Sequence, residues 1–72
     1  MNKEQFSLEG QDFIPLHNLL KVLGWCQSGA IAKEVIDAGL VEVDGQVELR
    51  KRCKIIAGQR VCFSKQVVEV SA

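Results

Sequence analysis

Leucines at positions 16, 19, 20 and 23 follow the spacing i, i+3, i+4, i+7, which lays them along one stripe of a helix. Pro15 suits the first helical position, where a missing N–H costs nothing, and Gly24 suits the left-handed residue that ends a helix. His17, Asn18 and Lys21 fall on the opposite face. After the link "WCQ", Ser28 is a good N-cap for a second helix, "GAIAKEVIDA", that stops at Gly39. Ala32, Val35 and Ile36 form its inward stripe, with Lys33, Glu34 and Asp37 outward. Beyond Gly39 the period changes to two. "LVEV" and "QVEL" alternate around Asp44-Gly45, a pair that favours a type I′ hairpin turn. "RVCF" and "QVVEV" follow as further short strands, separated from the hairpin by a turn at "AGQ". The order predicts an α+β fold: a two-helix unit packed on a small antiparallel β-sheet of three to five short strands. Residues 13–72 read as one domain. Residues 1–12, with Phe6 and Leu8 flanking Ser7, read as an N-terminal arm or edge strand.

Length narrows the function classes. Seventy-two residues bury only about 60% of the surface of the unfolded chain. That leaves little material for a walled catalytic cleft. No Ser/His/Asp or Cys/His arrangement, glycine-rich phosphate loop or apolar acid pair assembles, so the expectation is a non-enzyme with no cofactor and no small-molecule substrate. Cys26, Cys53 and Cys62 are an odd number at wide spacing, which fits free thiols in a reducing, cytoplasmic setting better than a disulfide framework. With His17 they could in principle supply four zinc ligands. Structural zinc sites bring ligands in close pairs, however, and the gaps here are nine residues or more. No segment reaches the roughly 20 apolar residues of a membrane span, and the start lacks a signal-like apolar run. Trp25, alone at the helix–helix link, could stack on a base, but with no interleaved aromatic set it reads better as a packing plug.

Charge changes the picture most. The formal net charge is zero, yet residues 1–48 carry three cations and eight acids while residues 49–68 carry six cations and no acid. Four of those cations, Arg50, Lys51, Arg52 and Lys54, lie within "LRKRCKI". Anion binding follows local potential rather than total charge, so neutrality does not exclude a nucleic-acid partner. Read as an extended segment, the cluster puts Arg50, Arg52 and Lys54 on one side and Lys51 with Cys53 on the other. Such an edge matches phosphates: arginine offers a planar fork of donors, lysine a point charge.

The stretches "LHNLLKVLG", Ser28, "AKEVI" and "GLVEVDG", within a span from Leu16 to Phe63 that is about two-thirds of the chain, resemble the RNA-binding domain of ribosomal small-subunit protein four, the alpha-L motif. The short length and "RKRCKI" are similar to stand-alone bacterial members in which the module is nearly the whole chain. The resemblance implies binding of structured RNA, ribosomal or transfer RNA, on a basic face formed by the two helices and the start of the hairpin. Lys33 matches the family's arginine in the second helix. Pro15-Leu16-His17 stands where many members have Arg-Leu-Asp, Gly29 where they have an arginine, and Asp44 where they have the turn asparagine. The expected RNA-binding residues are Lys33, Arg50, Lys51, Arg52 and Lys54, with lesser contributions from Lys21, His17 and Ser28. The expected partner is structured RNA, the ribosome included, bound by a monomer without a membrane. Two competing readings differ in class. A protein-interaction module would dock its acidic half or basic edge on another protein. A ubiquitin-like carrier would need a flexible Gly-Gly, which "VEVSA" lacks.

Overall fold

The computed structural model describes residues 2–72. In chain order its elements are β1 (Asn2–Ser7), β2 (Ile14–Pro15), α1 (Leu16–Val22), α2 (Gly29–Asp37), β3 (Val41–Val43), β4 (Gln46–Val47), β5 (Lys54–Ile55), β6 (Arg60–Phe63) and β7 (Gln66–Ser71). Five strands form one sheet in the order β1-β7-β6-β3-β4, and β2 with β5 forms a separate two-stranded ribbon. Four strands, β7-β6-β3-β4, pair antiparallel as the alternation predicts. The fifth, β1, joins in parallel at the edge, with Asn2 opposite Gln66 and Ser7 opposite Ser71.

Both helices end as their glycines dictate. At the end of α1 the Gly24 and Trp25 N–H groups donate to the Lys21 and Leu20 carbonyls. At the end of α2 those of Gly39 and Leu40 donate to Ile36 and Val35. This is the Schellman pattern, which needs a left-handed residue; φ is 77° at Gly24 and 76° at Gly39. Ser28 caps α2, its Oγ accepting the Ile31 N–H at 3.2 Å. The Asp44-Gly45 turn has positive φ at both central residues, 52° and 84°, as type I′ requires. Pro15 departs from expectation by one position: it is the N-cap of α1, in extended conformation, and pairs with Lys54.

One core joins the layers. Leu16, Leu19 and Leu20 of α1 meet Ala32 and Ile36 of α2, Ile55 of the ribbon, and Val41, Val61 and Val68 of the sheet, all fully buried. Leu23, Val35 and Trp25 pack against its margin. Each large aliphatic buried this way contributes about 1.5–3 kcal/mol, so a handful of residues decides whether so small a chain folds.

Candidate nucleic-acid interface

A proline N-cap offers no side-chain oxygen to the first N–H groups of α1, and none bonds them. The basic segment takes that role. The Leu16 N–H donates to the Cys53 carbonyl at 2.9 Å and the His17 N–H to the Lys51 carbonyl at 3.0 Å. The His17 ring adds a second bond to the same Lys51 oxygen, with Nδ1 at 3.0 Å. A carbonyl only accepts, so Nδ1 carries the proton and Nε2 is left for another partner. Satisfying the unpaired donors of a helix start therefore fixes the cationic loop in space.

The local backbone overturns the extended reading of Arg50–Lys54. Residues 50–53 close a turn, the Cys53 N–H reaching the Arg50 carbonyl at 3.2 Å. Lys51 and Arg52 are the turn residues, so the segment is bent where the alternating reading needs it straight. Only Lys54 and Ile55 are extended, as β5. Cys53 is half-buried against the core.

Nor are the four cations equally available. Arg50 is held by Glu48: its Nε and Nη2 donate to the two carboxylate oxygens at 2.9 and 3.0 Å, and its backbone N–H adds a third bond at 3.0 Å. These donors hold the Glu48 carboxyl at about 2, well below the ordinary range, and raise the Arg50 guanidinium further above its own. Burial, reinforced by the nearby Glu48 charge, pushes the Cys53 thiol up. Lys51 pairs with Asp37 at the end of α2, Nζ to Oδ2 2.9 Å. Arg52 and Lys54, both exposed, have no ion-pair partner among the described residues. Lys54 instead lies over the Phe13 ring, 5.0 Å from its centroid.

The remaining predicted residues fall into two groups. Lys51 ties the start of α1, through His17, to the end of α2, through Asp37, so these two helix ends lie beside one turn. Lys21 lies one helical turn beyond His17 and Lys33 one turn before Asp37, each on the same helical face as its neighbour. Lys21 and Lys33 make no ion pair among the described residues. Ser28 stands apart, because its hydroxyl caps α2 and is half-buried. Asp44, placed by sequence beside the surface, is absorbed by the fold: its Oδ1 accepts the Arg60 N–H at 2.9 Å. The sequence reading omitted Phe13, whose neighbourhood depends on the pairing of β2 with β5. Among the described residues no three His, Cys, Asp or Glu side chains gather as a metal would require, and no helix is long and apolar enough to cross a membrane.

The chain matches the S4 domain family over residues 6–71, and it belongs to that family. YbcJ of Escherichia coli strain K12, named as a candidate RNA-binding protein, is 54% identical over 67 residues, which span 93% of this chain and 96% of YbcJ. The uncharacterised YbcJ of Shigella flexneri matches to the same extent. The solution structure of E. coli YbcJ, described as revealing an αL motif involved in RNA binding, aligns with a TM-score of 0.76 at 51% identity. The alignment covers 100% of this chain and 91% of that one. Two helices on a small sheet are thus the αL fold, as the helix register and hairpin turn imply.

Proposed function

We propose that this protein is a non-catalytic, cytoplasmic RNA-binding protein that acts as a monomer on folded RNA, ribosomal RNA foremost, through phosphates and shape. The observation that carries this reading is the anchoring of the basic turn on α1. It holds Arg52 and Lys54 out, without acidic partners among the described residues, in a turn bonded to the helix ends that bear His17 and Asp37. Lys33 and Lys21 extend the positive face along the two helices. The name of the E. coli relative and the description of its structure support the same partner class. Readout by shape suits an A-form RNA helix, whose deep groove side chains cannot enter and whose phosphates and 2′-hydroxyls they can reach.

Four or five cations of this kind engage roughly three to five phosphates, giving a slope of log affinity against log salt of about −2 to −4. The test is filter binding of a folded ribosomal RNA fragment by the Arg52→Glu, Lys54→Glu double variant. Arg50 is left alone so that its clamp on Glu48 stays intact. At least a tenfold loss is expected with the thermal midpoint unchanged. Retained affinity would remove the basic turn from the interface.

The competing protein-docking reading has one observation on its side, the exposed Leu40, Val47 and Leu49. Val47 and Leu49 flank Gly39, close enough to contact a side chain there. Salt-sensitive RNA binding by the isolated chain, with no binding to acidic polypeptides of equal charge, decides between the two.

A further inference from the structure

The β2–β5 ribbon has two faces, and only one serves the core. Ile14 stands opposite Ile55 and Pro15 opposite Lys54. Ile14 and Ile55 point inward, at 6% and 0% exposure. Strand alternation then puts Phe13, Pro15, Lys54 and Ile56 on the other face. Phe13 is 37% exposed and Ile56 51%. Among the described residues Phe13 is the most exposed of the Phe and Trp side chains; Phe6, Trp25 and Phe63 are half-buried against the core. A lysine ammonium lies over its ring. Next to it an open depression of about 420 Å³ is lined by Arg50, Arg52, Cys53 and Lys54.

An exposed ring under Lys54, with Arg52 lining the same depression as Lys54 and neither cation ion-paired among the described residues, is a combination that can hold an unpaired nucleotide: the ring stacks on a base, and the cations meet the phosphates on either side. We propose that Phe13 is a stacking platform for a single unpaired nucleobase, with Lys54 and Arg52 on the flanking phosphates. Lys54 has a flexible stem, so its ammonium swings from the ring to a phosphate and the base takes the place it leaves. The inference rests on the RNA-binding reading above and narrows it, making the preferred ligand a folded RNA with a loop or bulge nucleotide beside a helix.

The test uses one RNA hairpin in two forms, with natural loop bases or with abasic loop residues, so that phosphate charge is constant. The wild-type chain should prefer the base-bearing loop by about tenfold, the scale of one aromatic–base stack. Phe13→Leu, which keeps the ribbon apolar, should abolish that preference and leave affinity for the abasic hairpin unchanged. Phe13→Tyr should retain it. Phe13 ring protons should shift upfield with the base-bearing hairpin alone. Equal affinity of the wild type for the two hairpins, or a preference that survives Phe13→Leu, overturns the platform while leaving RNA binding in place. No binding of either hairpin overturns both.

Discussion

Asp37→Asn should make this protein bind RNA more tightly. Asp37 is the last residue of α2, where the helix dipole disfavours a carboxylate by about 0.3–1 kcal/mol. What compensates is Lys51, whose Nζ lies 2.9 Å from Oδ2. Both side chains are well exposed, at 42% and 58%, so the pair stabilises the fold by no more than about 1 kcal/mol. A phosphate that engages Lys51 has to compete with that carboxylate and meets its charge as well. Removing the charge therefore costs the fold little, since the lost pair and the relieved helix end nearly cancel. The RNA complex gains up to about 1 kcal/mol, or roughly fivefold in affinity. One more phosphate contact would steepen the salt slope by about 0.7–0.9. The assay is filter binding of a ribosomal RNA fragment between 50 and 200 mM salt (roughly the range over which such contacts are read), repeated in a Lys51→Gln background. There the gain should vanish, because the two residues act on the same phosphate. An Asp37→Asn chain that binds no tighter at low salt, with an unchanged slope, would show that Lys51 takes no part in the contact.

Three further outcomes follow from the same geometry. The Glu48–Arg50 clamp depends on a carboxyl held at about 2 by the Arg50 donors. A carboxyl depressed on folding stabilises above its unfolded value, so the clamp should persist through pH 4.5 and be lost only as pH falls towards 2. NMR titration of the Glu48 carboxyl and the 50–53 amides reads this, and a midpoint near 4.5 would disprove the clamp. The β6–β7 hairpin turns on Ser64 and Lys65, both at positive φ (52° and 65°) with neither glycine nor asparagine present. Replacing them by Asn and Gly should stabilise the chain by about 0.5–1 kcal/mol and raise the melting midpoint by a few degrees. An unchanged or lower midpoint would contradict the strain assigned there. His17→Ala removes the Nδ1 bond to the Lys51 carbonyl but leaves the backbone bond. It should speed amide exchange at residues 51–53 and weaken RNA binding a few-fold with no change in salt slope. A shallower slope would instead mean that His17 touches phosphate itself.

How much of this could be read from residue order depends on the range of the force concerned. Ser28, Gly24, Gly39 and Asp44-Gly45 act within a few residues of themselves, and each does in the structure what its local chemistry predicts. The parallel pairing of β1 with β7 joins the two ends of the chain and leaves no local signature. The Ser64-Lys65 turn was hidden because it lacks the residues that usually mark a type I′ turn. The largest misreading, an extended basic segment, came from treating alternation as sufficient. The anchor of the turn that replaces it lies 34 residues away in His17, with Pro15 leaving the start of α1 to be capped by whatever loop came near. The partners of Arg50 and Lys51 are of the same two kinds. Glu48 is two residues from Arg50, yet on an alternating strand it would share that side chain's face without predicting a closed clamp. Asp37 meets Lys51 only once α2 has packed.

The proposed positive face on a chain with no net charge requires that its acids be unequally spent. Glu48 is held by Arg50, Glu69 by Lys3 and Arg60, Asp37 by Lys51, and Asp44 by the Arg60 N–H. Charges beyond a Debye length of about 8 Å at physiological salt are largely screened. Glu4 and Glu42 lie on the sheet and have no ion-pair partner among the described residues. Asp12 is next to Phe13 in the chain, and Glu34 is next to Lys33. Their proximity sets the expected strength. A phosphate docked on Arg52 and Lys54 would be held least strongly where either carboxylate falls within that screening length. The strength of RNA binding would then depend on the placement of a few carboxylates as much as on the cations.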